Sequence, residues 1–155
     1  MGDCFIQFDQ ISGESEDAEY KGAIIVTGWN WGVNWRAEHG LSGKHAGRGD
    51  VRHFAFTHQI DTASPALMAR CVTGKEIPTA TMLMRRAGGS AQLFAKIRFE
   101  KVRLTNVELA HGGGEELPQE AVTFSFEKVT YEYAAQAEKG GRKGGAVLFN
   151  WDAGR

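Results

Sequence analysis

The chain has 155 residues, a length that suits one domain with a single sizeable core. Hydrophobic residues make up 42%, with nine Phe and four Trp, which excludes a disordered chain. The net charge of −1 excludes the strongly basic stripe of a nucleic-acid binder and leaves little repulsion between copies to oppose self-association. Glycine is the outlier: twenty residues, close to twice the usual share, fall mostly between apolar runs, as turns joining many short strands require.

Cys4 to Phe8 reads as a short first strand, and Ser12 to Tyr20 as an acidic loop. Ala23 to Trp35 reads as a long strand with bends at Gly28 and Gly32. Trp29, Trp31, Val33 and Trp35 share one parity, which places three tryptophans on one face. Such a face is a core or interface stripe, or a platform on which sugars stack. Arg36 to Asp50 has no periodicity, four glycines and two histidines, and reads as a long exposed loop. Arg48-Gly-Asp50 spells an adhesion tripeptide, but three residues carry little information.

Phe54, Phe56 and Ile60 alternate as in a strand. Ser64 has the side-chain oxygen of an N-cap, Pro65 suits the first helical position, and Gly74 closes the helix. Leu67, Met68, Cys71 and Val72 recur at helical spacing, and no other segment reads convincingly as a helix. Thr79 to Arg86 is another strand, followed by a tight turn at Gly88-Gly-Ser90. In Ala91–Val107, Leu93, Ala95, Ile97 and Phe99 hold one parity and Val102 and Leu104 the other. In Ala121–Tyr133, Val122, Phe124 and Phe126 give way to Val129, Tyr131 and Tyr133 in the same manner. A one-residue slip in two neighbouring strands predicts bulges and a sharply bent sheet. Lys139 to Gly145 reads as a flexible, mildly basic hinge, and Ala146 to Trp151 as a short last strand.

The chain carries no recognisable catalytic constellation. No Ser sits in a Gly-x-Ser-x-Gly elbow, and Gly112-Gly-Gly114 is followed by acids rather than Lys-Ser or Lys-Thr. His39 and His45 lie in the loop, and His53 and His58 take opposite faces of a strand; neither pair has zinc-site spacing, so both read as surface or interface histidines. No cofactor or metal is expected. Cys4 and Cys71 are too few for a disulfide framework and read as small buried side chains. No signal peptide and no membrane-length apolar run is visible, so folding is expected in the cytoplasm.

Asp61-Thr-Ala-Ser64-Pro65-Ala-Leu67 resembles the D-x-A-S-P-x-L signature of the Hcp family, the haemolysin-coregulated proteins of type VI secretion. Phe5 to Ser15 resembles the family's first strand and its G-E-S turn, Ile24 to Gly32 its second strand, and Glu120 to Tyr131 its E-x-V-x-F-x-F-x-K strand. These segments follow one another in the family's order along nearly the whole chain. The resemblance implies a mainly β, compact two-sheet barrel-like domain over 1–155 with one packed helix. It implies a homohexameric ring, stacked rings forming an inner tube, and partners in a spike trimer, a contractile sheath and effector cargo, with secretion independent of a signal peptide. It also implies a stacking role for the extended loop 36–50, with His39, Gly40, Leu41, Lys44, His45, Arg48 and Asp50 as its contact residues. A sugar-binding β-sandwich is the alternative, carried by Trp29, Trp31 and Trp35.

Overall fold

The computed structural model describes residues 2–39, 45–87, 92–112, 114, 117–136 and 142–154. In chain order its elements are β1 (Asp3–Phe8), β2 (Ile24–Ile25), β3 (Gly28–Asn30), β4 (Val33–His39), β5 (His45–Val51), β6 (Phe54–Gln59), α1 (Ser64–Thr73), β7 (Ile77–Arg85), β8 (Leu93–Ala110), β9 (Gln119–Ser125), β10 (Lys128–Gln136) and β11 (Arg142–Asp152).

The long strand β8 organises the fold. Its first half pairs with β7 on one edge and β10 on the other, while its second half pairs with β9. The change of sheet falls at Lys101, whose φ of 57° is a left-handed conformation that no regular strand holds. Ala95, Ile97 and Phe99 are buried before it, and Val102 and Leu104 after it, as the parity slip predicts. Sheet A then runs β2-β1-β7-β8-β10-β11, and sheet B is the second half of β8 with β9, β6 and β3. The segment after β2 crosses between the sheets at the far corner: Val26 N–H donates to the Cys4 carbonyl, and Thr27 N–H to that of Thr57. The result is a barrel-like, two-sheet body with α1 packed on β8.

The core is aromatic. Phe54, Phe56, Phe99 and Phe124 are fully buried, and the Phe54 ring lies 5.0 Å from Phe99 and 5.3 Å from Phe124. Each such side chain contributes about 2–3 kcal/mol by leaving water, and tilted rings at these distances add a further increment.

Several segments depart from the expected boundaries. The strand expected at Ala23–Trp35 is three strands, because the chain turns between sheets at 26–27 and again at 31–32. The strand expected at Ala121–Tyr133 is β9 and β10, separated at Phe126–Glu127 opposite the Lys101 corner. The last strand is longer than expected, since residues 142–145 of the supposed hinge belong to it. The turn at Gly88-Gly-Ser90 lies outside the described residues.

Loop 12–20 is held to sheet A by Arg85, whose side chain is almost fully buried. Its guanidinium donates to both Asp17 carboxylate oxygens, at 3.0 and 2.8 Å, and to Asp3 at 2.8 Å. It also lies over the Phe5 and Tyr20 rings. Hydrogen bonds from Arg85 hold the Asp17 carboxyl down to about 2. A depressed carboxylate stabilises the fold above its ordinary titration range and loses that contribution as pH falls through the folded value. The melting temperature of Asp17→Asn is therefore expected below that of the wild type at neutral pH, with the gap closing between about pH 4 and pH 2. A gap independent of pH would show that the ion pair does not hold the loop.

Candidate functional site

Three of the motif segments converge at the start of α1. Asp61 Oδ1 accepts the Ala63 N–H at 2.8 Å, and Ser64 Oγ accepts the Asp61 N–H at 3.1 Å. These reciprocal bonds close the turn that precedes the helix, whose N-cap residue, Ala63, has no side-chain cap of its own. They reverse the expected role of Ser64: the side chain reaches back to Asp61 instead of capping forward. Pro65 follows in the first turn, where a missing N–H costs nothing, and Leu67 is fully buried beneath. Glu14, from the G-E-S turn, accepts the Thr62 N–H at 2.8 Å, and Thr62 Oγ1 donates to the Ser12 carbonyl at 3.2 Å. At the other end, Gly74 takes the left-handed conformation (φ 66°) and closes the helix as expected.

The third segment enters through a buried hydrogen-bonded pair. His58 on β6 and Glu120 on β9 are directly opposed in the sheet B register, both at 0% exposure, with Nε2 2.6 Å from Oε1. Asp61 Oδ2 stands 3.7 Å from His58 Nδ1. His58 is thus neither the surface nor the interface histidine expected. Glu120, which motif reading passed over as an ordinary strand residue, is its partner. The pair joins β6 to β9 within sheet B, and Asp61 brings the helix start up beside it, while His58 Nδ1 and Glu120 Oε2 are buried without a hydrogen-bond partner. Cys4 and Cys71 are free, partly buried thiols, and burial pushes the Cys4 thiol up.

The expected loop 36–50 is, where described, a β-hairpin. β4 and β5 pair from Val33↔Val51 to His39↔His45 and form a sheet of their own. Val51 anchors the base against the core, and the Trp31 indole N–H donates to the Arg52 carbonyl at 2.8 Å. Further out, the strands pair only with each other among the described residues. Asp50 binds Arg36 at 2.9 Å and Arg48 at 3.3 Å, so the Arg48-Gly-Asp50 tripeptide is an extended strand with its carboxylate already engaged. A Cβ on Gly47 would come within 2.5 Å of the Trp35 ring, so this position is closed to larger residues. Gly40, Leu41 and Lys44 lie outside the described residues; His39 and His45 end the paired strands.

The three tryptophans do not share a face, because the chain turns between them. Trp29 stacks on Phe54, Trp31 meets Phe99 and Phe126 edge-on, and Trp35 lies on the arm, 69% exposed. Among the described residues no group of three or more His, Cys, Asp or Glu is placed to hold a metal, and no helix is long and apolar enough to cross a membrane.

Comparison with known proteins fits this architecture. The family model described as "Type VI secretion system effector, Hcp" matches residues 5–133. The chain belongs to the Hcp family of type VI secretion proteins. It is 34% identical to Protein hcp1 of Pseudomonas aeruginosa, over 97% of this chain and 94% of that protein. The crystal structure of a type VI secretion system effector from Yersinia pestis is 36% identical, with a TM-score of 0.78 over 97% of this chain and 99% of that one. Hcp1 of Salmonella typhimurium is 31% identical, with a TM-score of 0.78 over 99% of this chain and 95% of that one. The motif segments are thus also the contacts that tie the start of α1 to the first loop and join β6 to β9 beside it.

Removing one member of a buried hydrogen-bonded pair leaves the other unsatisfied. Glu120→Ala is expected to cost about 1–3 kcal/mol, read by denaturant unfolding, whereas a double exchange of His58 and Glu120 for apolar residues is expected to recover much of that loss. A loss below about 1 kcal/mol for the single variant would show the pair to be incidental.

Proposed function

We propose that this chain is a tube-building subunit of a type VI secretion system. Six copies close head to tail into a ring, and rings stack into the hollow inner tube. Effector cargo travels in the lumen, a spike trimer caps the tube, and a contractile sheath drives it outward. The chain acts as one tube domain over 1–155, folds in the cytoplasm and leaves the cell when the sheath contracts. Family membership supports the secretion role. The observation that carries the assembly is the arm: a well-packed body extends a two-stranded hairpin with Val33 and Trp35 in solvent. Exposed apolar groups on a projecting ribbon are unfavourable for a lone chain and favourable where another copy receives them. In the stacked tube the arm crosses the seam between rings, with His39, Gly40, Leu41, Lys44, His45, Arg48 and Asp50 as the contact residues.

Light scattering of the purified protein is expected to give a particle of six chains, and electron micrographs to show rings and end-to-end stacks. Replacing residues 38–46 by a two-residue Asn-Gly turn between the paired positions Ala37 and Gly47 is expected to keep the rings and abolish the stacks. A monomer at every concentration would contradict the ring; unaltered stacking by the shortened arm would contradict its role at the seam.

A further inference from the structure

Cys4, Met84 and Phe94 stand at one end of sheet A, each one residue in from the end of β1, β7 or β8. Between β7 and β8 the register runs Met84↔Ala95 and then Arg85↔Leu93, so Phe94 is the extra residue of a bulge. A bulge re-aims the side chain it carries. Leu93 packs with Phe5 and Leu83 on the far face of the sheet, whereas Phe94, like Ala95, lies against the main core. From the other layer, the edge strand β3 brings up Trp29, whose ring stacks on Phe54 and is 39% exposed. Its indole N–H faces the Cys4 thiol. Together these side chains line an open cleft of about 470 Å³ at the mouth between the two sheets, a size and a place usual for small-molecule sites.

Two arginines border the cleft, and they differ. Arg85 is neutralised by Asp17 and Asp3, which also leaves the Asp3 carboxylate engaged rather than free to repel an anion. The Arg86 guanidinium lies over the Phe94 ring, 5.0 Å from its centroid, and pairs with no carboxylate among the described residues. Tyr133 meets the same ring edge-on, so Phe94 is braced as well as stacked. Aromatic walls, a floor of sulfur-bearing side chains and one uncompensated cation at the lip define the guest: flat, apolar and negatively charged at one end.

We propose that this mouth binds a planar aromatic anion, an aromatic carboxylic acid being the simplest, with its ring between Trp29 and Phe94 and its acid group on Arg86. Cys4 and Met84 present a polarisable floor that receives the ring without requiring a hydrogen bond from it. The guanidinium fork takes both carboxylate oxygens at once, which a neutral amide or alcohol cannot match. One chain supplies the whole site, so it does not rest on the ring proposed above.

The test titrates naphthalene-2-carboxylate, and the neutral naphthalene-2-carboxamide beside it, into the full-length protein by calorimetry. The carboxylate is expected to bind saturably, one per chain, and at least about tenfold more tightly than the amide, the increment of one charge-assisted hydrogen bond. In Arg86→Gln that preference is expected to vanish while the affinity for the amide stays unchanged, which also shows that the variant keeps its mouth. Bound carboxylate is expected to shift the Trp29 indole N–H resonance and to slow alkylation of Cys4 but not of Cys71. No saturable binding, equal affinity for acid and amide, or a preference that survives in Arg86→Gln would overturn the site. Resonance shifts at Trp35 in place of Trp29 would overturn it as well, by placing the probe on the arm. None of these failures bears on the ring.

Discussion

The Lys101 corner sets the architecture. A strand of 18 residues is too long and too twisted to serve one flat sheet, and at this position it passes from sheet A to sheet B. The break between β9 and β10 lies opposite, so a single bent hairpin supplies two sheets with a common corner. The aromatic cluster around Phe54, Phe99 and Phe124 fills the angle between them. Everything on the surface follows from where this angle leaves each sheet.

Because, among the described residues, sheet A spans six strands and sheet B four, one layer overhangs the other. The overhang is the β10–β11 corner, where inward-facing aromatic residues meet solvent. A small domain that depends on its core gains nothing from such an overhang by itself. It gains if a second copy completes the layer. The arm formed by β4 and β5 is a second unfinished structure, at a different place on the body. Two separate incomplete surfaces are what a ring that also stacks requires: one around the circle and one along its axis. The helix start, by contrast, is complete within the chain. Glu14, Asp61 and Ser64 accept the N–H groups of the turn that leads into it, beside the His58–Glu120 pair that joins β6 to β9.

The bent hairpin was legible in the sequence because a buried strand writes its geometry as a period of two, and the slips after Phe99 and Phe126 stand out against it. Helix α1 was legible from Pro65 and Gly74. The arm was not, since β5 shows no apolar alternation and the alternation of Val33 and Trp35 in β4 reads as the end of the strand before it. The tryptophan parity misled because it assumed one straight strand where the chain turns twice. The buried pair was present in the pattern but passed over. Glu120 shares parity with Val122 and Phe124, and His58 with Phe54 and Phe56, so both polar residues stood on core-facing positions. A polar residue at a core-facing position calls for a hydrogen-bonding partner, and the pairing of β6 with β9 supplies it. The length of β11 was hidden by its glycines at 144 and 145, which read as a hinge when taken alone.

Amide hydrogen exchange across residues 145–151, followed as protein concentration rises through the assembly range, tests most directly that the overhanging corner is completed by another copy. The outward N–H groups of this edge strand are expected to exchange rapidly in dilute protein and to become protected as particles form. Equally rapid exchange within fully assembled particles would contradict the account.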